Sequence, residues 1–457
     1  MLYVKNPLNE KYSDIILPDN TFIATMKQPK VLEAPKAAIR EALDCPISSA
    51  SLKAIAEKKK EAKKDATAVI VVSDNTRPVP YKGENGILVP VVETLLEAGY
   101  TNDQITVLVA TGMHRPMRED ELKTMLDGKI FDMGIKVVNH EPKNDNRLEF
   151  VGTTKRGTKA MIDTIYTSAD LKILTGLVES HFMAGASGGR KAVCPGVIGE
   201  ESTYIFHGPE LMDDNLSKDL QIEGNPVHEE SLAVAKLAGV DFIVNVTLDH
   251  DFNITGVFAG DLEKAHLAAV EKIRESVEVK VPEADLVITH GGFVGINHYQ
   301  CAKCAVASLG ALKKDGYLIS IADITDGGHP IGSVNYRVTL TLLHLLGSEA
   351  FVKLLNSPDW VFLPEQWQVQ QWAKVFRKTP QDHYYFYAPQ IGHEWFDSLP
   401  GNDIRVLFDD NEDESNPNIY QIAIEKAIQD VERRTGKKRE ELVIVYLKDG
   451  PYEVPRS

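Results

Sequence analysis

Glu179-Ser-His181-Phe-Met-Ala-Gly185-Ala-Ser187-Gly188-Gly189-Arg190-Lys191-Ala-Val-Cys194-Pro195-Gly196 is the stretch around which the chain is organised, and it runs on through Glu200 and Glu201 to His207. Glycines let a backbone turn tightly and approach a ligand closely. Successive N–H groups in such a turn can hold an anion, and Arg190 and Lys191 add positive charge. Neutral histidine ligates metals and carries protons near pH 7. The segment can therefore hold a phosphorylated, metal-containing group beside an acid/base residue. It can equally be a surface turn whose histidines are satisfied locally. It is not a P-loop, because G-x-x-x-x-G-K-[ST] needs glycine where Arg190 stands and Ser or Thr where Ala192 stands.

Outward from this stretch the pattern is strand, polar loop, helix. Leu171–Leu174 is a short apolar run that leads into it. Ala68–Val72 reads as a buried strand ending at Ser73-Asp74-Asn75-Thr76-Arg77-Pro78, followed by a helix over Gly86–Ala98. Gln104–Ala110 is the next strand, ending at Thr111-Gly112-Met113-His114-Arg115-Pro116 before a helix over Arg118–Leu126. Such alternation argues for a parallel sheet with covering helices. Polar residues just past strand C-termini face the binding crevice of open α/β sheets, so these three loops are expected on one sheet edge.

Phe242–Leu248 and Ile254–Ala259 read as further strands, and a boundary falls near Lys280. A second α/β pattern starts at Asp285–His290 and continues through a helix over Asn297–Lys313. Later, Arg405–Phe408 and Leu442–Tyr446 read as strands flanking a helix over Tyr420–Thr435, with a solvated acidic loop at Asp409–Asn416. The expectation is an α/β protein of two domains, each a mainly parallel sheet covered by helices, with the active site in the cleft between them. Residues 1–278 form an N-terminal catalytic and cofactor-attachment domain, 279–448 a C-terminal domain, and 449–457 a tail returning to the N-terminal domain.

The 457 residues are too many for one typical core. The formal net charge of −16 leaves no basic footprint for a nucleic-acid partner. No apolar run reaches a membrane span, the first residues lack a signal-peptide core, and four cysteines suit a reducing cytoplasm rather than a disulfide scaffold.

Individual residues carry alternatives. Arg77 can grip a carboxylate through two parallel hydrogen bonds, or simply pair with Asp74. His114 is structural by itself; with His181 on a neighbouring loop it forms a pair of opposed proton carriers, suited to inverting a stereocentre. Cys301-Ala-Lys303-Cys304 is a lone C-x-x-C that puts both thiols on one helix face, with Lys303 between them as an anion-binding cation. Gln300 shares the face, and Tyr299 precedes it. Trp367 packs in a core or caps a flat cofactor.

Together, Ser73–Pro78, Ala110–Pro116, Glu179–Lys191, His207 and Tyr299–Lys303 resemble the nickel-pincer-nucleotide-dependent lactate racemase family, in that family's order. The resemblance implies a pyridinium mononucleotide with nickel bound through carbon and two sulfurs, attached to Lys191 through a thioamide. It implies His207 as a nickel ligand and His114 and His181 as acid/base residues. Asp74, Asn75, Thr76 and Arg77, with Ser187, Gly188, Gly189 and Arg190, are then expected near the nucleotide. Arg77, Tyr299, Gln300 and Lys303 hold the substrate, Gln300 and Lys303 adjoin the cofactor, and Trp367 contacts it.

The implied activity is racemisation or epimerisation of a small 2-hydroxy acid, in which hydroxyl proton and α-hydride leave and return. Cofactor-synthesis enzymes are the implied partners, and the implied location is cytoplasmic. Two rival readings are a metal-dependent hydrolase using the His181 and His207 cluster, which lacks a carboxylate-rich set such as H-E-x-x-H, and a non-catalytic nucleotide or metallocofactor carrier.

Overall fold

A computed structural model describes residues 1–409 and 412–457. Asp410 and Asn411, in the expected acidic loop, lie outside the described residues. The chain divides into two compact units: an N-terminal unit of Gln28–His207 and Asp214–Ser276, and a C-terminal unit of Met1–Lys27, Gly208–Asp213 and Val277–Ser457.

The N-terminal unit is built on six strands: β1 (Ala68–Ser73), β2 (Ile105–Ala110), β3 (Lys136–Asn139), β4 (Leu171–Leu177), β5 (Phe242–Leu248) and β6 (Ile254–Gly260). Their order across the sheet is β6-β5-β4-β1-β2-β3. Only β6 runs antiparallel to its neighbour. Val69 to Val72 of β1 are all fully buried, as a strand covered on both faces must be. Each such valine stabilises the fold by about 1.5–3 kcal/mol. Helices Leu52–Ala62 and Leu88–Glu97 pack on each other, and their apolar faces share a core with the sheet.

The topology places the site. From β1 the chain winds one way through β2 and β3, then crosses back to β4 and winds the other way through β5. The winding reverses between β1 and β4, and the C-terminal ends of strands at such a switch point are where open α/β sheets place their binding crevice.

The C-terminal unit has its own six-stranded parallel sheet, in the order Asn402–Asp403, Tyr384–Tyr387, Leu312–Ile321, Ala284–His290, Ile444–Leu447, Thr21–Ala24. The first 27 residues thus lie with this unit rather than within a 1–278 domain, because Thr21–Ala24 is its edge strand. The tail strand Val454–Arg456 also stays in this unit, paired with Glu278–Lys280.

Two elements differ from expectation. Arg405–Phe408 is not a strand; Ile404–Leu407 is a 3-10 turn whose Arg405 N–H is capped by Asp403 Oδ1 at 3.0 Å. The helix expected to reach Lys313 ends at Ala307, and a strand begins at Leu312. Gly310 sits between them where a Cβ would lie 2.0 Å from the Pro455 carbonyl oxygen, a turn too tight for a side chain.

Candidate active site

The loop after β1 is folded back by Tyr81. Its hydroxyl accepts from Ser73 N–H at 2.7 Å and lies 2.9 Å from Thr175 Oγ1 on β4. Asp74 is thereby fixed at the crevice, 4% exposed. Its Oδ2 lies 2.6 Å from His114 Nδ1, at the end of β2, and its Oδ1 accepts from Thr76 N–H at 3.1 Å and Thr76 Oγ1 at 2.5 Å. Burial alone raises the Asp74 pKa, but the His114 contact and the Thr76 bonds outweigh it and hold it below the ordinary value. The carboxylate makes Nδ1 the protonated nitrogen of His114 and leaves Nε2 to exchange protons. His114 itself is exposed. The Arg77 guanidinium makes no ion pair with Asp74; its Nη1 donates to Thr76 O at 3.1 Å, while its backbone N–H donates to Asp74 O at 3.3 Å. Asn75 is exposed.

The glycine-rich stretch leaves β4 and closes on itself. Ser187 N–H donates to Glu179 O at 2.9 Å, and Ser187 Oγ donates to Leu177 O and accepts from Glu179 N–H, both at 2.8 Å. Gly189 N–H donates to Asn245 Oδ1 on β5 at 2.9 Å. Gly188 has φ +74°, and a Cβ there would lie 2.6 Å from Val178 Cγ2, so only glycine passes. The following 3-10 turn, Gly189–Ala192, carries Lys191. Gly196 ties this segment to the β2 loop: its carbonyl accepts from Gly112 N–H at 3.0 Å, and its N–H donates to Lys191 O at 3.1 Å.

Lys191 Nζ lies 2.8 Å from His181 Nε2. His181 Nδ1 accepts from Met183 and Ala184 N–H at 3.3 and 3.2 Å, so Nδ1 is unprotonated and the proton of the neutral ring sits on Nε2. His207 is half-buried with its Nδ1 enclosed. Burial and the charge of Lys191 push its pKa down to about 3, which keeps the ring neutral and able to ligate a metal. Arg190, 1% exposed, turns elsewhere: its Nη2 donates to Ala184 O at 2.7 Å and its Nη1 lies 3.0 Å from His266 Nε2. Asn245 and His266 escaped the sequence reading; an asparagine inside the apolar run Phe242–Leu248 was the available signal.

Tyr299, Gln300, Lys303 and Trp367 belong to the C-terminal unit. The first three sit on the helix His298–Ala307, whose start is capped by Asn297 Oδ1 accepting from Gln300 N–H at 3.0 Å. Trp367 Nε1 donates to Tyr299 OH at 3.1 Å. Gln300 Oε1 is buried without a hydrogen-bond partner. Cys301 and Cys304 are buried free thiols; burial raises both pKa values, Cys304 to about 12, so neither is poised as a thiolate. Among the described residues, the one grouping of three or more His, Cys, Asp or Glu with metal-ligand spacing is Asp249-His250-Asp251, on a turn, and it includes neither His181 nor His207.

An imidazole–carboxylate pair and an imidazole–amine pair on the strand-end loops of a parallel sheet are the equipment of an α/β enzyme that moves protons. The comparisons with known proteins make it an isomerase of the racemase type. The family model "Lactate racemase N-terminal domain" matches residues 8–218. Lactate racemases of Thermoanaerobacterium thermosaccharolyticum and Lactiplantibacillus plantarum are each 32% identical over 74% of this chain and 76% of their own length. The structure of the lactate racemase apoprotein from the former superposes with a TM-score of 0.84 at 26% identity, covering 100% of both chains. A Thermotoga maritima crystal structure shares the fold, with a TM-score of 0.56 at 17% identity over 88% of this chain and 97% of its own. The chain belongs to the lactate racemase family.

Proposed function

We propose that the protein racemises or epimerises small 2-hydroxy acids, lactate among them, using a nickel-pincer nucleotide held on Lys191. The observation that carries this reading is the grouping of Lys191 with His181 and His207 on the loops beyond β4, with the Asp74–His114 pair at the ends of the adjoining strands. The donor chemistry suits the group: an amine for covalent attachment and an enclosed neutral imidazole, His207, for the metal. Gln300 Oε1, buried and unsatisfied, is an acceptor waiting for a ligand donor.

When bound, the nucleotide supplies a hydride acceptor for the substrate α-hydrogen. The protein's own residues handle the rest. Arg77, on the loop after β1, pins the substrate carboxylate by charge; Tyr299, Gln300 and Lys303, in the C-terminal unit, are substrate-holding residues by the family resemblance. Asn75 and Thr76 stand with Asp74 and Arg77 on the loop that borders the nucleotide, and Ser187, Gly188 and Gly189 shape the turn that presents Lys191. Trp367 offers a flat face to the ring. His114 takes the hydroxyl proton at Nε2, and Asp74 stabilises the imidazolium that results. His181 carries its proton on the same kind of atom. Each histidine serves as base for one enantiomer and acid for the other. The nucleotide must be made by other enzymes, which are the partners this reading requires.

The test is incubation of cofactor-loaded protein with a panel of enantiopure 2-hydroxy acids, lactate, malate and longer ones, followed by chiral chromatography. Loss of optical purity in at least one is expected. Unchanged handedness throughout the panel removes the reading.

A further inference from the structure

A cleft of about 630 Å³ opens within the N-terminal unit between the helices Pro226–Ala238 and Lys264–Val277, beneath the segment Gln221–Gly224. Its floor is Arg190 with His228 and His266, 1%, 8% and 2% exposed. The two imidazoles stack with centroids 6.2 Å apart. Burial holds both neutral, with the charge of Arg190 adding to it.

The guanidinium is underserved. A buried charge is normally paired with an opposite one. Arg190 has carbonyls and an imidazole, but no carboxylate within ion-pair distance among the described residues. Its Nε has no partner, and neither has His228 Nδ1. His266 Nε2 also lies 2.8 Å from Ser187 O. That nitrogen cannot both donate to Ser187 O and accept from Arg190, so one of the two contacts is not a hydrogen bond. Burial accordingly pushes the Arg190 pKa down, to about 9.

Carboxylates stand only at the rim, and most are engaged. Glu229 pairs with Arg156 at 2.8 Å, Glu263 with Lys236 at 2.7 Å, and Glu271 with Arg274 at 3.4 Å. Glu223 is exposed.

We propose that this cleft is a second ligand site, which takes a small oxyanion, a carboxylate or phosphate group, on Arg190 with His228 beside it. The same guanidinium holds Ala184 O and Gly188 O, at either side of the turn that presents Lys191. An occupied cleft therefore stiffens that turn and raises thermal stability by mass action. The site stands independently of the racemase reading.

Isothermal titration calorimetry with sodium phosphate and with sodium acetate, against sodium chloride at matched ionic strength, tests it and separates the two chemistries. At least one of the two anions should bind saturably at a single site. Affinity should fall at least tenfold in Arg190→Gln and in Leu232→Trp, which fills the cleft from its wall; circular dichroism checks that each is folded, and Leu232→Trp decides if Arg190→Gln is not. Absence of saturable binding, or unchanged affinity in the folded variants, overturns the proposal. Titration of protein bearing an adduct on Lys191 should give the same affinity; loss there assigns the cleft to the adduct's own phosphate and also overturns it.

Discussion

Lys191 Nζ and His181 Nε2 face each other at 2.8 Å, and His181 Nδ1 is committed to two backbone donors. An imidazole that accepts at Nδ1 keeps its proton on Nε2, the nitrogen that faces the lysine amine. Covalent attachment needs that amine as nucleophile. Lys191→Ala and Lys191→Arg should therefore both lose any covalent adduct by intact-mass spectrometry and lose turnover by 10³-fold or more, on the order seen for nucleophile removal. An adduct persisting on either variant contradicts this assignment.

Asp74 fixes the tautomer of His114 across 2.6 Å. Asp74→Asn preserves shape but no longer favours the proton on Nδ1 or stabilises the imidazolium. Turnover should drop by about 10²-fold or more, with a smaller change in KM and an altered pH–rate profile. His114→Ala should lose more. A pH profile unchanged in Asp74→Asn would reduce Asp74 to a loop-capping residue.

Four buried histidines, besides His207 at the site, lower stability in acid. Burial pushes His228, His266, His290 and His298 down to about 2, 3, 4 and 3. Their unfolded values are near the reference of about 6.5. Below that pH the unfolded chain binds protons the folded chain refuses, so stability is full above about 6.5 and falls as pH drops toward the folded values. The slope can reach about 5 kcal/mol per pH unit if all four act together. Urea midpoints measured from pH 7 to pH 5 should decline steeply; a flat profile across that window contradicts it.

Glu453 works in the opposite sense. It is 1% exposed, its Oε1 accepts from Asp449 N–H at 3.2 Å, and its Oε2 has no partner. Burial, helped by Asp449, pushes its pKa up to about 8. The unfolded chain ionises this group from about pH 4.5 while the folded chain keeps it neutral, so stability falls between pH 4.5 and 8 by a few kcal/mol in order of magnitude. Glu453→Gln should match the wild type near pH 4 and exceed it at pH 8. An equal difference at both pH values contradicts the assignment.

What the sequence disclosed followed from periodicity and from strand ends. β1 was legible because a strand buried on both faces is written as an unbroken apolar run, and its following loop is bounded by turn residues. β3 was not: Lys136–Asn139 is a short, partly exposed edge strand with no such run. The place of Thr21–Ala24 was hidden because its partner, Ile444–Leu447, lies at the far end of the chain. At the site, histidine, lysine and glycine could be read as chemistry, but their partners could not. Tertiary packing, not spacing, joins Asp74 to His114 and sends the Arg190 side chain to His266 and the Ala184 carbonyl.

The central claim is tested most directly with C2-deuterated, enantiopure lactate and nickel-loaded protein, read by chiral chromatography coupled to mass spectrometry. The account predicts a mixture of both enantiomers with deuterium retained at C2. Retained handedness, or racemisation with the label exchanged into water, would contradict it.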